Sequence, residues 1–169
     1  MAKIIFITGG QRSGKSNFAK RLAEEKSASP VFLATSRIWD EEFADRIKRH
    51  QSERGSNWQT IEKDKSISQL KLDGKVVVLD CITLWLNNFF FDNNYDLEKT
   101  LQEVKNEWNL FIDQDFTLIV ISNEIGMGVI PADLGTRQFT DLQGWVNQHI
   151  ASLSNSVYLM VSGISVKIK

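Results

Sequence analysis

One cysteine in 169 residues, Cys81, has no partner for an internal disulfide, and with no CxxC pair or Cys/His cluster the chain offers no zinc framework. Histidine is nearly as scarce, with His50 and His149 only. Neither sign of charge dominates: 20 basic residues against 21 acidic leave a formal charge of −1 and a pI near 6.1. Such a chain has no global positive field to hold a nucleic acid or an acidic membrane, so any phosphate recognition must be local. No long uninterrupted apolar run is present. The most apolar stretch, 76–91, is broken by Asp80, Asn87 and Asn88 and reads as buried structure rather than a membrane span. The opening MAKIIFITGG lacks the apolar length and small-residue cleavage site of a secretory leader. These absences together point to a reducing, cytoplasmic setting.

What is present is ordinary for a soluble globular protein, 42% hydrophobic and 24% charged. The length suits one compact domain over residues 1–169. Apolar runs alternate with helical patterns, the signature of an α/β domain with a largely parallel sheet. Strands are expected at 3–8, 30–35, 58–61, 76–79, 117–122 and 157–161, with the ending VKIK pairing at an edge. Helices are expected at 16–26, 40–54, 97–112 and 142–153, the second with Asp40 as N-cap and Glu41 and Glu42 in its first turn.

The strongest motif is Gly9-Gly10-Gln11-Arg12-Ser13-Gly14-Lys15-Ser16, which fits G-x-x-x-x-G-K-[ST] between a strand and a helix. Gly9 and Gly14 let backbone amides turn inward around phosphate oxygens, and the following helix aims its positive end there. Lys15 supplies a point charge for β- and γ-phosphates, and the Ser16 hydroxyl suits a magnesium ion bridging them. Asp80 closes VVVLD as a strand-end acid able to hold that ion directly or through water. Cys81 beside it reads as a small buried residue. Asn123 and Glu124 follow TLIVIS, where polar residues face the usual ligand crevice. Locally, Glu124 reads equally as a group that orients a nucleophile or accepts its proton, and as a loop acid beside Gly126 and Gly128.

His50 stands four residues from both Arg46 and Arg54, so a persisting helix puts the three on one stripe, with Phe43 and Ile47 alongside. Flanking cations favour a neutral imidazole with a nitrogen able to attack, while the arginines hold a triphosphate. The same pattern also describes a solvated basic helix face, and on local spacing alone that is the favoured reading. His149, in VNQHIASL, reads as surface or packing. Glu62, ending WQTIE, is placed to accept from the N1–H and amine of guanine.

These segments together resemble a known family, the bifunctional adenosylcobinamide kinase/adenosylcobinamide-phosphate guanylyltransferases of cobalamin nucleotide-loop assembly. The likeness is carried by GGQRSGKS (9–16), LATS (33–36), RIKRHQSERGSNWQTIE (46–62), LDCITLWLNN (79–88), SNEIGMGVIP (122–131), TRQFTDLQGWVNQ (136–148) and VSGISVKIK (161–169). It runs nearly end to end. The resemblance implies a RecA-like P-loop NTPase fold assembled as a homotrimer. It implies two reactions: ATP or GTP phosphorylates adenosylcobinamide, and a histidine then attacks the α-phosphate of GTP and passes GMP to the cobinamide phosphate. That histidine falls on His50, which makes nucleophile the better reading of the stripe, with Lys15 as the other catalytic residue. The family's nucleotide contacts fall on residues 9–16, on Ala34, Thr35 and Ser36, on Gln51, Ser52, Glu53 and Arg54, on Glu62, and on Thr83 or Leu84. The sequence departs from the family pattern at Gln11, where alanine is common, and at Thr140, where relatives often place arginine. Two rivals remain open on residues alone: a small-molecule P-loop kinase without nucleotidyl transfer, and a nucleotide-gated interaction protein.

Overall fold

The computed structural model describes residues 1–37 and 55–169. The expected helix at 40–54, with Arg46, His50, Gln51, Ser52, Glu53 and Arg54, lies outside the described residues. Within them, β1 (Lys3–Gly9), α1 (Lys15–Lys26), β2 (Val31–Ala34), β3 (Gln59–Glu62) and β4 (Val76–Asp80) are followed by α2 (Ile82–Asp92) and α3 (Leu97–Phe111). The chain continues with β5 (Thr117–Ile121), α4 (Leu134–Leu153), β6 (Ser156–Val161) and β7 (Ile164–Lys167). The seven strands form one sheet in the order β3-β2-β4-β5-β1-β6-β7. Every pairing is parallel except β6 with β7. The α/β expectation is met, as is the edge pairing of the C-terminal residues.

The sheet is buried on both faces, which is why its strands read as continuous apolar runs. Ile4, Phe6, Val77, Leu79, Leu118 and Val120 face a large core filled by Trp85, Leu86, Trp108 and Phe111 from α2 and α3 and by Leu142, Val146 and Ile150 from α4. Ile5, Ile7, Val78, Ile119 and Ile121 face the other way, against Ala19 and Ala23 of α1. Small residues there let α1 lie close to the strands. No helix among the described residues is long and apolar enough to cross a membrane.

Two elements differ from the sequence expectation. The strand expected at 76–79 is present as β4 and the stretch 76–91 is largely buried, but a helix not expected from the sequence, α2, follows at once, with Cys81 as the N-cap between them. That helix, ITLWLNNFFFD, carries an apolar stripe at Ile82, Trp85, Leu86, Phe89 and Phe90, but it follows directly on a strand, with no side-chain cap at Cys81, no acid in its first turn and no base in its last to mark its ends. The last helix begins at Leu134 rather than 142, because Asp133 caps it by accepting from Thr136 N.

Register sets the functional edge. Glu62 pairs with Ala34, Ala34 with Asp80, Asp80 with Ile121, and Ile121 with Ile7, so the carboxyl ends of five strands lie in one row. The β6–β7 hairpin closes the opposite flank through Ser162 (φ 50°) and Gly163 (φ 84°), the two positive φ values of a tight primed turn.

The core depends on Trp85, which is fully buried and donates from Nε1 to Lys65 O at 2.9 Å. We expect Trp85→Ala to cost about 3–5 kcal/mol by chemical denaturation, chiefly from lost packing, since the Lys65 carbonyl keeps its bond from Ile67 N.

Candidate phosphate and nucleotide site

Between β1 and α1 the backbone does what the glycine spacing requires. Gly9 (φ 152°), Arg12 (φ 56°) and Gly14 (φ 95°) take positive φ, curling the chain around a hollow. Neither end glycine tolerates a side chain. A Cβ at Gly9 would meet Met160 O at 2.6 Å, and one at Gly14 would meet Gly163 Cα at 3.1 Å. The C-terminal hairpin thus buttresses the loop, and Gly163 N donates to Ser13 O at 2.9 Å. Gly14 caps α1 without a side-chain bond, which leaves the first amides of that helix available to an anion. The Thr8 and Ser13 hydroxyls are buried with no partner among the described residues.

Lys15 is buried, and its Nζ donates to Gly9 O at 3.0 Å and Gly10 O at 2.6 Å. Burial pushes its pKa below the ordinary lysine value, against the opposing pull of the Asp80 carboxylate. Ser16 Oγ donates to Asp80 Oδ2 at 3.3 Å. Burial pushes the neighbouring Cys81 thiol up to about 12, so it stays protonated. The expected pairing of loop and strand-end acid is therefore present. A cleft of about 500 Å3 runs from Arg12, Lys15 and Asp80 along α1 to Phe32 and Trp58.

A hydroxyl beside a carboxylate is an oxygen-only donor pair of the kind that holds magnesium with several waters. No group of three or more His, Cys, Asp or Glu among the described residues could enclose a metal unaided. The pair therefore fits an ion whose remaining ligands come from phosphates and water.

Other residues singled out in the sequence are distributed along the same edge. Ala34 ends β2, and Glu62 stands exposed opposite it on the edge strand. Thr35 is fully buried, its hydroxyl donating to Cys81 O at 2.8 Å, so that side chain is used inside the protein. Thr83 Oγ1 accepts from Asn123 N and Asn123 Nδ2, both at 3.2 Å, tying α2 to the end of β5. His149 lies away from this edge. It meets Asn109 Oδ1 at 3.0 Å and borders a shallow groove with Trp145, consistent with the packing reading.

Two arrangements went unforeseen. Asn88, on the apolar α2, donates to Thr35 O at 2.7 Å and Asp64 O at 2.9 Å. Beside it Arg37 grips both carboxylate oxygens of Asp92, at 2.7 and 2.8 Å, and Asp64 at 2.7 Å, while Lys65 adds a 3.0 Å contact to Asp92. This clamp fixes the exit of β2. The second arrangement is a buried amide cluster: Gln143 Nε2 donates to Ser122 Oγ and Asn147 Oδ1, and Asn147 Nδ2 donates to Asn123 O. Buried amides at helical spacing (Gln143, Asn147) in the otherwise apolar stripe of α4 were the signal for it.

Comparison with known proteins gives consistent findings. The family model described as cobinamide kinase / cobinamide phosphate guanyltransferase matches residues 5–168. The chain is 36% identical over 181 residues to the bifunctional adenosylcobalamin biosynthesis protein CobU of Escherichia coli K12, covering 98% of this chain and 99% of that protein. It is 32% identical to the bifunctional adenosylcobalamin biosynthesis protein CobP of Pseudomonas aeruginosa, covering 96% and 95%. A solved Pyrococcus horikoshii OT3 protein superposes with TM-score 0.52 at 10% identity, over 99% of this chain and 86% of that one, and so shares the fold.

The Arg37 hydrogen bonds hold the Asp92 carboxyl well below the usual carboxylate range. A depressed folded-state pKa gives stability that is full above the unfolded value and declines as pH falls. Asp92→Asn should cost about 1 kcal/mol at pH 7. Its denaturation curve should converge on wild type progressively below about pH 4.

Proposed function

The chain belongs to the cobinamide kinase / cobinamide phosphate guanyltransferase family, and from that membership we propose how its residues divide two phosphorus chemistries. It is a bifunctional transferase of cobalamin biosynthesis, both kinase and nucleotidyltransferase. The observation that carries the residue assignment is the Lys15 ammonium folded into the loop 9–16 beside the Ser16–Asp80 pair.

In the kinase step ATP or GTP lays its β- and γ-phosphates against the amides of residues 9–16. Lys15 stabilises charge on the transferred group, and the hydroxyl of adenosylcobinamide displaces the nucleoside diphosphate. Ser16 and Asp80 would hold Mg2+, which when bound supplies charge neutralisation across the phosphates. In the guanylyl step the neutral His50 imidazole attacks the α-phosphorus of GTP and pyrophosphate leaves. The oxygen of cobinamide phosphate then takes the GMP from His50, so one hard transfer becomes two easier ones. Arg46 and Arg54 steady the phosphates, and Ala34, Ser36, Gln51, Ser52, Glu53 and Glu62 line the nucleoside, with Glu62 accepting from guanine. Thr35 and Thr83 contribute from behind, through the contacts that fix the ends of β2 and β5.

We place the protein in the cytoplasm as a homotrimer. Exposed Met127, Val129, Ile130 and Ile164 support burial of apolar surface against copies of the chain.

The test follows both labels. Incubation with α-labelled GTP should leave acid-labile GMP on the protein, and γ-labelled GTP with adenosylcobinamide should label the cobinamide. His50→Ala should abolish the first while retaining the second. Covalent GMP persisting in that variant overturns the assignment.

A further inference from the structure

The kinase half of the reaction needs a group to take the proton of the attacking hydroxyl, and nothing in the phosphate loop supplies one. Lys15 is a donor engaged with two carbonyls, and Asp80 faces Ser16 on the metal side. We propose that Glu124 is that base; the inference rests on the reading of residues 9–16 as the phosphate site.

Position is the first argument. β5 lies between β1 and β4 in the sheet, so its exit opens between the phosphate loop and Asp80. Glu124 N donates to Gly9 O at 3.0 Å, and the same carbonyl oxygen accepts from Lys15 Nζ at 3.0 Å. The glutamate backbone and the phosphate-binding ammonium therefore meet on one atom. A group there stands beside the γ-phosphate end of a bound triphosphate, where an acceptor must approach in line.

Rigidity is the second. Ser122 and Asn123, which precede the glutamate, are held by Gln143 and Asn147 from α4 and by Thr83 from α2. The mutual hydrogen bonds of these buried side chains fix one geometry, although Gln143 Oε1 has no partner among the described residues. The carboxylate itself is half-buried, and its Oε1 accepts from Gly126 N at 2.8 Å. That bond aims the side chain, and Gly126 leaves room for it, since a Cβ there would stand 3.3 Å from Oε1. Among the described residues the second carboxylate oxygen carries no hydrogen bond.

The step balances. The acceptor oxygen bonds to the γ-phosphorus as the bridging β–γ P–O bond breaks, the nucleoside diphosphate leaves with that electron pair, and the hydroxyl proton passes to the carboxylate and on to solvent. The guanylyl step has no such demand, because its acceptor is already an ionised phosphate.

Glu124→Gln separates the roles, because the amide oxygen can still accept from Gly126 N. Two activities are compared: phosphorylation of adenosylcobinamide from γ-labelled ATP and GTP, and GMP transfer from GTP to pre-formed adenosylcobinamide phosphate. The kinase kcat should fall by about 100-fold or more relative to the transferase rate, with nucleotide affinity, read from a fluorescent GTP analogue, retained. A kinase kcat within about tenfold of wild type overturns the inference, as does a parallel fall in both activities. Wild-type and Lys15→Ala proteins that bind the analogue equally would instead refute the phosphate-site reading itself.

Discussion

A lysine ammonium held out of water is the constraint on which the arrangement turns. Lys15 is 7% exposed, and two backbone carbonyls accept from its Nζ. Burying a cation costs several kcal/mol unless opposite charge or oriented dipoles replace its water. Here the replacement is fixed by the backbone: Gly9 and Gly10 present their carbonyls because the loop takes positive φ at Gly9, and Gly9 is locked in turn by Met160 O and the Ser13 side chain. The sheet supplies the stiffness. With β1 paired to both β5 and β6, the loop's starting point cannot drift, and the α1 amides point at the place where a phosphate would complete the neutralisation.

The same rigidity explains how one small domain serves two displacements at different phosphorus atoms. Attack at the γ-phosphorus expels a nucleoside diphosphate, and attack at the α-phosphorus expels pyrophosphate, so the nucleophiles must come from different directions. The parallel sheet offers a row of strand ends rather than a point. Its β1–β5–β4 portion gathers Lys15, Glu124 and Asp80, while its β2–β3 portion carries Ala34 and Glu62 toward the outer edge. On the proposed assignment, separation across the row would let each reaction have its own attacking group while the phosphates keep one cradle.

Residues whose role follows from local chemistry were legible in the sequence. The glycine-lysine-serine spacing, the acid at the end of VVVLD and the polar pair after TLIVIS all fall where the register puts a ligand edge. The helix α2 escaped notice although Ile82, Trp85, Leu86, Phe89 and Phe90 keep helical spacing, because it is short, runs straight on from the apolar strand β4 and lacks a side-chain cap or terminal charges to mark its ends. The early start of α4 had a readable mark in Asp133 and Thr136, overridden by the weak helix formers Gly135 and Thr136 that follow the cap. The Arg37–Asp64–Asp92 clamp joins residues up to 55 positions apart, and pairings of that kind depend on topology that spacing does not encode.

That clamp bears on the second reaction. Arg37 is the last described residue before the segment carrying His50, and Gly55 the first after it. On one side Arg37 is held by two carboxylates, and Thr35 by Cys81 O and Asn88. On the other, Trp58 N donates to Gly55 O, Trp58 Nε1 to Glu24, and Asn57 Nδ2 to Ala28 O. Both roots of the segment are thus tied to elements that also frame the phosphate loop: α2, which follows Asp80, and α1, which begins at Lys15. If the proposed roles of the loop and of His50 hold, fixed roots on both sides of residues 38–54 would lower the entropy of bringing nucleophile and phosphate together, because the scaffold is ordered before substrate arrives.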